Sequence, residues 1–307
     1  MRSKANMNGR ATLVISIIAA IVLAGAAFLW LHFRAGSSQP VVAFTPITHA
    51  TEPAKEAAPE EKGTSPSGPG ANTLESASAA RKAPPEPSFS PQAGEVLQFS
   101  ASLAKVSNVA SLRLEVVDKK EMNGKLAWHF QATAKTQNAM RLIFELDDRF
   151  DSFSEGTSFT AVQYEMHLSE RGQKVQSVQR LTTMGKEPAP PGASAAIVLP
   201  GTRDPLGMMQ YLRSVNWDKT TQVKSPVFDG RKMYDVRAKL IGTSEVVVPA
   251  GRFTAATIEI RVFDNGAEMK DARFTLYLAN DAGRTPVLLQ AVLPFAEARV
   301  ELQEKND

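Results

Sequence analysis

From Gly94 onward the chain alternates large apolar and polar residues with a period of two. Leu112, Leu114 and Val116 alternate with Arg113 and Glu115. Tyr164, Met166 and Leu168 alternate with Glu165 and His167. Ile258, Ile260 and Val262 alternate with Glu259 and Arg261, and Phe274, Leu276 and Leu278 with Thr275 and Tyr277. The same alternation places large apolar residues at every second position from Leu126 to Ala132. Such segments have one buried and one wetter face, the pattern of antiparallel sheet. Turn dipeptides separate them: Asn123-Gly124, Glu155-Gly156, Arg171-Gly172, Asp229-Gly230, Asn265-Gly266 and Ala282-Gly283. Roughly twelve strands in about 210 residues predict an all-β domain, a mainly antiparallel curved sheet or barrel. Pro188 to Gly201 is richer in Pro and Ala, and reads as a loop with a short strand.

One helix interrupts this pattern. Asp204 is a good N-cap and Pro205 suits the first turn. Leu206, Met209 and Leu212 recur at helical spacing with Tyr211 beside them, so the helix is expected to end near Val215 and lay one apolar stripe on the sheet. Met208 and Met209 read first as core. Flexible methionines can also line an adaptable apolar pocket.

The N-terminal third has a different character. Residues 11–33 form an uncharged apolar run that as a helix spans roughly 34 Å, enough to cross a hydrocarbon core of about 30 Å. Arg2, Lys4 and Arg10 precede it and only Arg34 follows closely. The expected topology is a single-pass anchor in the inner (cytoplasmic) membrane, with residues 1–10 in the cytoplasm and the rest in the periplasm or extracytoplasmic space. A cleaved signal peptide is the rival reading, since Ala24-Gly25-Ala26 are small. However, Phe28, Leu29, Trp30, Leu31 and Phe33 continue the apolar run beyond them. Residues 34–93 hold ten of the 19 prolines among Ala, Ser, Gly, Thr and Glu, and read as a disordered linker spanning about 45 Å. Residues 94–307 form the β-rich domain.

Charge narrows the partners. The net charge of +3 traces mainly to the basic residues around the apolar run, and the β-rich domain is nearly neutral with interspersed signs. A nucleic-acid partner wants a basic stripe, so none is expected. With no cysteine there is neither a disulfide framework nor a lipoprotein-type lipid anchor.

The search for chemistry finds no catalytic site. Of the four histidines, His32 and His49 precede the domain, while His129 and His167 fall on the polar phase of their strands without a second histidine at metal spacing. No zinc site is expected, and neither a phosphate-binding loop, a dinucleotide fingerprint nor a nucleophile elbow is found. Glu145, Asp147, Asp148, Arg149 and Asp151 form the densest polar run. Asp147, Arg149 and Asp151 share one strand face, and Asp148 and Phe150 the other. The run reads as a solvated face with a local ion pair, with calcium binding and acid–base work as lesser alternatives.

Four ordered segments together carry a resemblance. These are Gly94-Glu95-Val96-Leu97-Gln98-Phe99, Asp204-Pro205 with Tyr211-Leu212-Arg213, Val248-Pro249-Ala250-Gly251-Arg252-Phe253, and Leu278-Ala279-Asn280-Asp281 followed by Arg284-Thr285-Pro286-Val287. In that order and spacing the chain resembles the bacterial DUF3108 family of exported proteins, over most of residues 90 to 303. At Gly207 and Met208 it departs from the family's usual serine and alanine. The resemblance implies an envelope protein with a β-rich fold and brings no activity with it. On their own physics, Gly251 suits a hairpin position of positive φ, Asp281 and Arg284 suit a charge-assisted clamp across a turn, Pro286 suits an edge strand, and Arg213 suits the helix dipole.

The expectation is therefore a membrane-tethered, non-enzymatic envelope binding domain without a cofactor. A lipid-like or other apolar ligand would sit between sheet and helix against Leu206, Met209, Tyr211 and Leu212. The alternative is a protein-interaction module that meets an envelope protein through an edge strand or the apolar run 286–295.

Overall fold

The computed structural model describes residues 89–183, 193–293 and 296–306. The expected membrane helix, residues 11–33, and nearly all of the expected linker lie outside the described residues. No helix among the described residues is long and apolar enough to cross a membrane.

Strand makes up 67% of the described residues and helix 8%, so the domain is all-β. The strands are β1 (Val96–Leu103), β2 (Val106–Met122), β3 (Lys125–Thr136), β4 (Asp147–Glu155), β5 (Ala161–Glu170), β6 (Gln173–Thr182) and β7 (Ser194–Ile197), followed by β8 (Gln222–Phe228), β9 (Met233–Val248), β10 (Gly251–Asp264), β11 (Ala267–Ala279), β12 (Pro286–Val292) and β13 (Glu297–Asn306). Helix α1 (Asn138–Ile143) lies between β3 and β4, and α2 (Pro205–Ser214) between β7 and β8. All thirteen strands form one open curved sheet in the order β7-β6-β5-β4-β3-β2-β1-β13-β12-β11-β10-β9-β8. Pairing is antiparallel except between β6 and the short edge strand β7.

Local chemistry accounts for the tight hairpins. Asn123-Gly124, Arg171-Gly172 and Asn265-Gly266 all take positive φ at both positions, the type I′ conformation that matches strand twist. Gly251 opens β10 at φ 137°, as its place in the hairpin requires.

The connection from β7 to β8 joins the two edges of the sheet, and α2 lies on this crossing. Just before α2 the chain stitches the two arms together. Thr202 O accepts from Ala161 N at 2.9 Å, Arg203 N donates to Pro226 O at 3.0 Å, and Phe228 N donates to Arg203 O at 2.8 Å. The β8–β9 turn also meets β5: a Cβ at Gly230 would stand 2.5 Å from Met166 Cε. The sheet is open in hydrogen bonding, yet its arms close by contact around α2.

This enclosure changes the expected role of the helix. All ten residues of α2 are buried, not one stripe. A helix inside a curled sheet is covered from several sides, so Gln210, Arg213 and Ser214 must find polar partners in the interior. Three further expectations are corrected. α1 is a second short helix, where the sequence suggested one. Pro286 opens β12, an interior strand between β11 and β13; as the first strand residue its missing N–H leaves little of the ladder unmade. Asp281 and Arg284 close the turn through the backbone, Arg284 N donating to Asp281 O at 3.1 Å, and not by a charge-assisted side-chain clamp: the Asp281 carboxylate accepts from Thr285 N and Oγ1 at 2.9 and 2.7 Å, and Arg284 Nη1 donates to Val215 O at the C-cap of α2.

The core also reaches back before Gly94, since the Phe89 ring lies 4.5 Å from the Arg213 guanidinium. The described part of the run 286–295, residues 286–293, is largely interior, with Val287, Leu288, Leu289, Ala291 and Leu293 buried and Val292 exposed.

Candidate functional site

Polar groups at both ends hold α2. Asp204 Oδ1 accepts from Leu206 N and Gly207 N, both at 2.9 Å. Its Oδ2 accepts from Ser152 Oγ at 2.6 Å, and Ser152 bonds in turn to Ser154 at 2.9 Å. Burial pushes the Asp204 carboxyl up to about 6, although these hydrogen bonds pull the other way. Gly207 sits directly on β4 and the chain beyond it: a Cβ there would stand 2.7 Å from Ser154 Oγ and 2.8 Å from Phe159 O. Arg203 is buried with its guanidinium 3.6 Å from the Tyr211 ring, and donates to Ser158 O and Ser225 Oγ. At the other end Arg213 pairs with Glu95 and donates to Gly283 O.

Between α2 and the β8–β12 arm lies an unfilled space of about 50 Å³. Met208, Met209 and Leu212 bound it on the helix side, and Val236, Val262, Phe274 and Leu289 on the sheet side. The lining is almost wholly apolar. Of the four residues expected at a pocket, Met209 and Leu212 line this space. Leu206 packs into the core elsewhere, and Tyr211 lies under Arg203. The sheet-side residues were visible only as the apolar phase of their strands; nothing in the sequence tied them to α2.

A second constellation occupies the opposite face of β3–β5. Phe150 and Ser152 point toward α2, so Asp151 points away from it. The ladder sets Gln131, Asp151 and Glu165 in one row, with Arg149 beside His167. Asp151 is only 4% exposed. Its Oδ1 accepts from His129 Nε2 at 2.8 Å and Gln131 Nε2 at 2.9 Å, and its Oδ2 from Arg149 Nε at 2.9 Å. Burial pushes the Asp151 carboxyl up, but the bonds from His129 and Gln131 and the Arg149 charge outweigh it and hold the group below the usual range. His167 Nε2 stands 3.3 Å from Glu165 Oε2 and 3.7 Å from Asp151 Oδ2. His129 stacks on Phe153 at 4.5 Å between centroids.

The polar run from Glu145 is thus only partly a solvated face. Arg141 clasps Glu145 and Asp147 at the surface, whereas Asp148 and Asp151 are buried on opposite sides of the sheet. Asp148 Oδ1 accepts from Ser169 N at 2.8 Å, Oδ2 has no partner, and burial pushes the carboxyl up to about 7.

The model of the family described as "Protein of unknown function (DUF3108)" matches residues 98–303, about two thirds of the chain. The chain belongs to the DUF3108 family. No curated protein matches it. Among solved structures, this DUF3108 chain is similar to a β-barrel-like protein of the domain of unknown function DUF1849 from Brucella abortus, at 11% identity and a TM-score of 0.47, covering 70% of this chain and 97% of that one. It is also similar to a candidate lipoprotein from Parabacteroides distasonis, at 11% identity and a TM-score of 0.34, covering 72% and 99%. A third likeness is to a candidate exported protein with a YmcC-like fold from Bacteroides fragilis, at 10% identity and a TM-score of 0.30, covering 72% and 100%. The DUF3108 match spans β1 to β13 and includes α2, the apolar space and the polar cluster.

Proposed function

We propose that this DUF3108 chain is a non-enzymatic binding domain of the cell envelope, held at the inner membrane by residues 11–33, which takes the apolar end of a lipid-like ligand beneath α2. The observation that carries the reading is the unfilled space under Met209 and Leu212, whose lining is nearly free of polar atoms. A dry apolar cavity favours hydrocarbon over water, which needs two to four polar partners. At about 50 Å³ it is far below the ~300 Å³ of a site enclosing a drug-sized molecule, so it suits a short branch or chain terminus, not a whole acyl chain. Rotation of the unbranched Met208 and Met209 side chains enlarges it without moving the backbone.

A binding role is further supported by the state of the polar groups near α2. Asp204, Arg203 and Arg213 are all engaged in capping or pinning the helix. The charge pattern around residues 11–33 supports a cytoplasmic N-terminus with the domain outside.

Native mass spectrometry of the full chain from its own membranes, followed by solvent extraction, tests the reading. An added species of defined mass, lost in the Met209→Trp variant at unchanged thermal stability, is the expected result. An unliganded mass in both proteins would overturn it.

A further inference from the structure

We propose that Asp151, Glu165 and His167 bind one divalent transition-metal cation, Zn²⁺ by its donor chemistry, on the face of the sheet turned away from α2. One donor atom from each residue lies within 4.8 Å of the other two. His167 Nε2 is 3.3 Å from Glu165 Oε2 and 3.7 Å from Asp151 Oδ2. A cation held at about 2.0–2.2 Å by each donor places its ligand atoms about 3.0–3.6 Å apart; the two distances from His167 already fall in or near that range, and the two carboxylate oxygens, within 4.8 Å of each other, draw together on the ion to complete the triad.

The remaining oxygens are already spoken for. Asp151 Oδ1 accepts from His129 and Gln131, and Glu165 Oε1 accepts from Gln163 Nε2 at 2.7 Å. Each carboxylate therefore has one oxygen fixed by outer donors and the other turned toward His167, the division of labour that orients metal ligands. His129 extends this outer layer. It is nine-tenths buried, and its Nδ1 has no partner and stands 3.7 Å from the equally unpartnered Asp118 Oδ1. A small ring movement joins them and sets the imidazole between two carboxylates.

Electrostatics point the same way. Asp151 and Glu165 are directly opposite on β4 and β5, a juxtaposition of like charges that destabilises a strand pair. Arg149 relieves it through Asp151 Oδ2, from a side chain that is 49% exposed and free to swing out. A dication satisfies both acids at once. One imidazole with two carboxylates suits Zn²⁺ and leaves a coordination position for water; Ca²⁺ wants six to eight oxygens, more than converge here.

The site is tested by titrating chelator-stripped full-length protein with Zn²⁺ alone in a calorimeter. The expected result is one equivalent bound at micromolar strength, weakened at least about tenfold by His167→Gln or Glu165→Gln. Arg149→Gln removes a competing cation and should tighten binding several-fold. Absence of binding at millimolar Zn²⁺ would overturn the proposal. So would binding that His167→Gln leaves unchanged, which makes the ion adventitious.

Discussion

Arg213 and Glu95 form a bidentate pair in the interior, Nη1 to Oε2 at 2.7 Å and Nη2 to Oε1 at 2.6 Å, across 118 positions of sequence. The pair joins the last turn of α2 to the residue just before β1. Removing one partner leaves the other buried and uncompensated, which costs about 3–5 kcal/mol. Glu95→Ala is therefore expected to unfold at far lower denaturant, and Glu95→Ala with Arg213→Leu to recover part of the loss. Urea melts of the single and double variants check this.

Gly207→Ala sets two effects against each other. Alanine raises helix propensity by up to about 1 kcal/mol. The new Cβ, however, meets Ser154 Oγ at 2.7 Å and the backbone oxygen of Phe159 at 2.8 Å, and backbone cannot turn aside. Overpacking of this kind costs about 1–3 kcal/mol, so a net loss of stability is expected. A thermal melt higher than wild type would contradict the close approach of α2 to β4.

Filling the apolar space is expected to cost little stability. Met209→Phe adds a rigid ring at the wall of the cavity, where added contacts stabilise as long as neighbours need not move. We expect stability within about 1 kcal/mol of wild type and a loss of ligand occupancy, read by native mass spectrometry.

The buried acids make stability depend on pH. Asp148 and Asp204 are raised to about 7 and about 6 by burial, above an unfolded value of about 3.9. The folded state holds these protons more tightly than the unfolded chain, so their stabilising contribution is full below about pH 4 and is lost as pH rises through 6 to 7. Asp148→Asn keeps an acceptor for Ser169 N and cannot ionise. It should raise stability on the order of 1–2 kcal/mol at pH 8 and change little at pH 4. Melts across this range show whether the slope flattens.

Much of the fold is legible in the sequence because its signals are local. Asp204-Pro205 marks the start of α2, the Asn-Gly pairs mark hairpins, and strand phase correctly separates Asp148 and Phe150 from Arg149 and Asp151. What the sequence hides is register and closure. Period-two alternation assigns His129, Asp151 and His167 to the outer face of their own strands, but only the pairing of β3, β4 and β5 brings them to one carboxylate. Nothing within ten residues of Arg213 foretells Glu95. The full burial of α2 likewise depends on the two arms of the sheet meeting at Thr202 and Gly230, a long-range event. Helical spacing aims Met209 and Leu212 together, and both line the space beneath α2, whereas Tyr211 lies under Arg203, a partner that spacing does not weigh.

The first and last strands lie side by side in the middle of the sheet, Gln98 facing Glu304 across 206 positions. A chain emerging N-terminus first can build β1 to β6 and then β8 to β12 by successive hairpins, with β7 added in parallel beside β6, yet cannot join these two halves until β13 arrives. Until then β1 and β12 each present an unpaired edge. β13 is thus the keystone: its loss would not trim a margin but divide the sheet at its centre, leaving two half-sheets open to pairing with other chains.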